Sequence, residues 1–195
     1  MPYLIAAIIV LLLIPTIWII GCYNRLVRGR VRAANGFSQI DVQMKRRCDL
    51  IPNLVEAVKG YMSHERQTLE SVIAARSTAL AGLETLGAQP QNALAIQAVA
   101  GASSALDQLL MTLRVSIEKY PDLKASTNVI GLQEELVSTE NRIAFSRQAY
   151  NDAVMSFNTE IAVFPANLVA MLFHFSALTL FEANAADRLL PEVKF

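Results

Sequence analysis

With 195 residues, 53% of them apolar, the chain is long enough for one domain plus an anchor and has ample material for a core. Its 17 basic and 17 acidic residues cancel, but Asn24–Arg47 holds seven basic residues against Asp41 alone, a net of +6, and Cys48–Phe195 carries the compensating −6. This split predicts a basic face beside an acidic body and excludes a nucleic-acid-binding domain, which needs basic residues interleaved with aromatics on the folded body.

Tyr3 to Cys22 is twenty residues without a charge, enough as a helix to cross ~30 Å of hydrocarbon. Pro15 is tolerable inside such a helix, and Trp18 and Tyr23 fall near its exit interface. Arg25, Arg28, Arg30 and Arg32 follow at once. By the positive-inside rule the N-terminus faces out and the remainder faces the cytoplasm of a bacterial inner membrane. The competing reading is a lipoprotein signal with Cys22 as the attachment site after Ile19-Ile20-Gly21, which would put the bundle outside the cytoplasm. Met1-Pro2-Tyr3, however, lacks the charged n-region of a secretory signal. Cys22 and Cys48 flank the arginine cluster and do not suggest a disulfide framework.

From Phe37 the period becomes that of an amphipathic helix. Phe37, Ile40, Met44, Ile51, Leu54, Val58, Tyr61, Val72 and Ala79 form one seam, predicting a helix from about Ser38 to Leu80. Pro52 cannot donate to the carbonyl of Cys48, so a kink is expected there. Ala81–Asn92, with Gly82, Gly87 and Pro90, reads as the first turn, and Ala79–Leu86 as an apolar tip. A second helix follows over Ala93–Lys119, stopped at Tyr120-Pro121-Asp122. In the third, Val129, Leu136, Ile143, Tyr150, Phe157 and Phe164 recur every seven residues, a repeat that implies left-handed packing against neighbours. Residues 161–181 are again uncharged and read as a buried fourth helix, with a second membrane segment as the alternative. The expectation is an all-α protein: an N-terminal transmembrane helix followed by an antiparallel up-and-down bundle of about four long helices. Its parts are an anchor over 1–23, a basic juxtamembrane segment over 24–36, the bundle over 37–183, and a poorly ordered tail over 184–195.

Catalytic signatures are missing. His64-Glu65 opens a zinc-peptidase pattern, but Thr68 stands where the second histidine belongs, and His174 lies in an apolar segment. No metal or other cofactor is expected. There is no nucleophile elbow and no phosphate-binding glycine loop. Cys48 beside Arg46 and Arg47 is the one thiol that neighbouring cations could activate; the alternative is a small packing residue. The seams carry charge instead. Heptad steps put Arg47 and Glu65 in line with the first stripe, and Glu140 and Arg147 among Leu136, Ile143 and Tyr150. Such charges should pair if buried: Arg46 or Arg47 with Glu140, and Arg147 with Asp49 or Glu56. The alternative is a seam rotated at Pro52 with all of them solvated. Arg25, Arg28, Arg30 and Arg32 either hold anionic lipid head groups or only set topology.

The runs Tyr23-Asn24-x-Leu26-Val27, Ile40-Asp41-Val42-Gln43-x-Lys45-Arg46-Arg47-x-Asp49-Leu50-Ile51-Pro52-Asn53-Leu54-Val55 and Val58-Lys59-Gly60-Tyr61 resemble the LemA family. So do Tyr120-Pro121-x-Leu123-Lys124, Glu140-Asn141-Arg142-Ile143-Ala144, Arg147-x-x-Tyr150-Asn151, Phe157-Asn158 and Phe164-Pro165. The resemblance covers the chain from Tyr23 onward, departing at Gly36-Phe37-Ser38, where the family commonly has tryptophan. It implies a bacterial single-pass membrane protein with an antiparallel helical bundle and no established enzymatic activity. It also implies a link to envelope stress or to membrane metalloproteases of the HtpX type as partners, and a magnetosome-associated branch. Together these readings lead to a non-enzymatic membrane scaffold or adaptor, homo-oligomeric or bound to a membrane protein. The alternative is a lipid-binding, membrane-shaping module driven by the juxtamembrane arginines.

Overall fold

The computed structural model describes residues 2–88 and 92–182. The expected tail over 184–195 lies outside the described residues. Among those described there are helices and no strands. Helix α1 runs over Pro2–Lys59, 58 residues without a break through Pro15 and Pro52. At 1.5 Å per residue it is ~87 Å long, so a membrane taking its first turns leaves most of it projecting as a mast.

The first departure from expectation lies at its top. Gly60 and Tyr61 form a turn, Ser63–Glu65 a single 3-10 turn, and α2 then occupies Arg66–Ala88. The helix predicted to run to Leu80 is therefore two antiparallel helices, and Tyr61 is exposed at the turn. The predicted first turn and tip at Ala79–Leu86 belong to α2, where Ala79, Leu83 and Leu86 are buried. Asn92 caps α3 (Ala93–Ile117), its Oδ1 accepting from the N–H groups of Leu94 and Ala95 at 3.0 and 3.3 Å, the usual satisfaction of orphan donors at a helix start. After a short α4 (Pro121–Ala125), Ser126 caps α5 (Thr127–Ala162).

Helix α5 descends antiparallel to α1 along most of its length, α2 packs against α3, and α1 packs against α2. Three buried clusters stack along the mast. The upper one joins Cys48, Ile51, Leu54 and Val58 to Val72, Leu113, Ile117, Val129 and Leu136. The middle one joins Ile40 and Met44 to Leu83, Val99, Ile143, Tyr150 and Val154. The lowest holds Cys22, Leu26 and Phe157. The heptad residues of α5 from Val129 to Phe157 are all buried, because one face of a single helix follows one face of its neighbour. Close approach of the pair needs Gly36: a Cβ there would lie 3.1 Å from the Tyr150 Cα.

The expected buried fourth helix over 161–181 is absent. Instead α5 ends at Ala162, a cis Phe164–Pro165 peptide follows, and α6 (Ala166–Leu172) leaves at 94° to α5. His174, at φ 56°, turns the chain back, with the Phe175 N–H donating to the Ala170 carbonyl at 2.9 Å as in a Schellman ending. Residues 175–182 then run without regular structure up the side of α5. Proline ended the heptad helix, but too few residues remained before His174 for another long one.

Candidate functional site

Helices α1, α2, α3 and α5 form a ring that is loosest between α3 and α5, since α3 packs mainly on α2 and makes few close backbone contacts with α5. The opening is a groove of about 290 Å³ whose walls include Leu54, Met111, Leu136 and Val137, with Arg47, Asp107, Arg114 and Glu140 as its charged members. Arg47 reaches it from α1 by its place on the buried stripe between Ile40 and Leu54, and its side chain is only 4% exposed. Its guanidinium pairs with Asp107 on α3, and its Nε finds no partner. Asp107 is one-third exposed at the groove mouth. The pairing predicted with Glu140 does not form; Glu140 sits exposed on the groove rim, and Asp107 of α3, missing from the expected pairing, takes the guanidinium instead. Arg46, one residue along and so rotated out of the seam, donates instead to Glu135 on α5 at 2.7 Å across an exposed edge.

Arg147 also departs from its expected partners. Asp49 and Glu56 lie far up α1, whereas Arg147 stands 5.6 Å over the Phe181 ring. Asp49 is exposed, Glu56 pairs with Lys59, and Glu65 is half-buried in the 3-10 turn rather than on a continued stripe.

Two devices lie outside the sequence-level candidates. Pro52 leaves the Cys48 carbonyl without its helical donor, and Arg76 of α2 supplies one, its Nε donating to that oxygen at 2.6 Å. The helix passes Pro52 unbroken because a neighbouring helix meets the missing bond. The second device is a clamp on the ascending segment. Asn158 donates to the Leu178 carbonyl at 2.9 Å and accepts from its N–H at 2.8 Å; Asn151 does the same for Phe181 at 3.3 and 2.8 Å. Tyr150 Oη donates to the Thr179 carbonyl at 2.7 Å. The two amides sit seven residues apart on α5 and act on the backbone as a neighbouring strand would.

The Cys48 thiol is fully buried, and burial pushes its pKa above the ordinary 9.0 despite the opposing pull of Arg76 and Arg47. Activation by the neighbouring arginines, one of the two sequence readings, is overturned: desolvation outweighs the nearby cations. Among the described residues no three His, Cys, Asp or Glu side chains converge on a metal-sized site.

Near the base, a cleft of about 500 Å³ between α1 and α5 is lined by Trp18, Arg25, Arg28, Arg32 and Glu160. Arg25 lies 3.9 Å from Glu160. Arg30, a quarter-turn or more away, points elsewhere and stacks over the Phe175 ring at 5.4 Å. The four arginines are thus three and one, not a single patch.

The model of the LemA family matches residues 36–195. Protein LemA of Metamycoplasma hominis is 28% identical over 169 residues, covering 87% of this chain and 73% of the relative. Magnetosome protein MamQ of Magnetospirillum gryphiswaldense is 26% identical over 179 residues, covering 84% and 66%. Magnetosome protein MamQ 2 of Paramagnetospirillum magneticum is 30% identical over 90 residues. That match takes in 46% of this chain and only a third of the relative's length, 33%.

Proposed function

The chain belongs to the LemA family, and on that premise we propose that it is a non-enzymatic scaffold at the bacterial inner membrane that self-associates through the α3–α5 groove. Its N-terminus lies outside and its bundle in the cytoplasm, a placement that rests on the arginines following the apolar run.

The observation carrying this reading is the open ring. Helix α3 is apolar enough along its length to cross a membrane, yet only about a third of its most apolar stretch is buried. It is placed outside the bilayer because its Asp107 pairs with Arg47, twenty-five residues beyond the end of the apolar run at Cys22. Met111 is 71% exposed, and Val115 and Val137 lie open beside it. Two copies standing on one membrane are related by an axis along its normal. Around that axis α3 and α5 of each copy alternate up and down, which completes a four-helix arrangement of the common antiparallel kind. A membrane-protein partner, for example an HtpX-type protease, would use the same face as an adaptor surface.

The test is cross-linking in membranes that carry one copy with Met111→Cys and a differently tagged copy with Val137→Cys. Cross-linking between the two tags, lost when Glu70→Cys on the far helix replaces either, is expected. Equal yields at all positions would refute the groove as the interface.

A second reading is favoured by the basal cleft. Arg25, Arg28 and Arg32 face one space beside Trp18, the arrangement that an anionic lipid head group would occupy, at about 1 kcal/mol for each basic residue near the surface. Replacing the three by Gln should abolish vesicle deformation by the reconstituted protein if it shapes membranes; undiminished deformation would exclude that activity.

A further inference from the structure

We propose that the elbow between α5 and α6 is a second lipid-contacting element, which lays its exposed side chains into the same leaflet from which α1 emerges. This rests on α1 being the membrane span.

Antiparallel register places Glu160 beside Arg25 and Phe157 beside Gly29, so the next residues of the descending chain fall level with the end of the apolar run. Ala166, Val169 and Ala170 pack on Cys22 and Leu26, and the Phe173 ring lies 4.8 Å from that of Tyr23. The elbow is therefore seated at the exit interface, level with the lower part of the arginine cleft.

Helix α5 follows α1, and α6 turns 94° from α5, so it lies across the mast, roughly in the plane of the bilayer surface. Its inner face uses small residues. The outer face carries Leu168, Met171 and Leu172, 56, 72 and 65% exposed, and Val163 and Phe164 precede them at 53 and 74%. No charged residue occurs from Ile161 to Phe181.

In water this would be a contiguous apolar patch of the kind that marks an interaction site. Lipid is the occupant because the patch is continuous with the apolar surface of α1 and bordered by arginines, whereas the face offered for self-association lies far up the bundle. A short in-plane helix of this sort buries its apolar side ~5–10 Å into the boundary between head groups and acyl chains. The Asn151 and Asn158 clamps hold the chain that leaves the elbow, so its position is fixed relative to the mast.

Trp18 is the sole tryptophan, which makes fluorescence quenching a direct test. Full-length protein is reconstituted in phosphatidylcholine–phosphatidylglycerol vesicles with acyl chains brominated either near the head group or near the chain end. The wild type reports Trp18, and its quenching places that side chain in the bilayer, as the span requires. In Trp18→Phe, a tryptophan is placed at the exposed Met171, or at exposed Phe145 higher on α5 as a control. The expected result is loss of emission for Met171→Trp, greater with the upper-chain quencher, and none for Phe145→Trp. Quenched Trp18 with unquenched Met171→Trp overturns the elbow and leaves the anchor intact. Blue-shifted but unquenched emission at that site shows a protein cover instead of lipid, and equally overturns it. Unquenched Trp18 in the wild type overturns the span on which the proposal rests.

Discussion

Arg76 should matter because of Pro52. The proline removes the N–H that would have met the Cys48 carbonyl, and the Arg76 guanidinium replaces it at 2.6 Å in a partly buried position. Arg76→Met keeps the aliphatic stem and strands that oxygen, at about 1.5–3 kcal/mol for a charged donor to a buried acceptor. Pro52→Ala restores a backbone donor one turn on, so the same Arg76→Met in that background should cost no more than ~0.5 kcal/mol. The double-mutant cycle would then show a coupling of ~1–2.5 kcal/mol between side chains that are not themselves partners. Thermal unfolding of full-length protein in detergent, followed by circular dichroism, reads this as a drop of ~2–4 °C per kcal/mol for a chain of this size. Equal losses in the two backgrounds would refute the idea that Arg76 substitutes for the missing helical bond.

The Arg47–Asp107 pair should respond asymmetrically. Asp107→Ala leaves a buried cation alone, at ~2–4 kcal/mol after allowance for the third of Asp107 that water already reaches. Arg47→Met leaves a carboxylate that can hydrate and removes an orphaned Nε, so it should cost under ~1.5 kcal/mol; equal melting losses would contradict this. Asn158→Ala should raise amide hydrogen exchange at Leu178 well above that at Phe181, and uniform protection along 175–182 would contradict the clamp. Burial raises the pKa of both Cys48 and Tyr150. The unfolded chain therefore loses these protons first as pH rises, and stability present below pH 9.0 should decline above it. Melting temperatures between pH 8 and 11 check this, and Cys48→Ala should flatten the earlier part of the decline.

The seams of α1, α3 and α5 were legible because each buries one stripe in the bundle, and period alone reports that. The turn at Gly60 was not, because Val58 and Tyr61 keep the helical spacing across it. Lys59 followed by Gly60 was the available stop signal, a basic last turn before a glycine. Ile161–Phe181 suggested a long helix since it is apolar throughout, but apolarity does not distinguish burial in protein from burial in lipid. The charge pairs failed for another reason. Heptad position correctly placed Arg47 inside, but the choice of Asp107 over Glu140 depends on where α3 stands, which the period of a single helix does not report. Asn151 and Asn158 stand in motifs that carry the family resemblance, but their clamping role was not legible, because their partners are backbone atoms.

The account turns on whether this mast-and-bundle assembles through its open side. Native mass spectrometry of full-length protein in nanodiscs measures that directly, with Val137→Asp as the comparison. The account predicts an oligomer for the wild type and monomers for Val137→Asp with an unchanged helical spectrum. A wild type that is monomeric and retains no bound protein would contradict it.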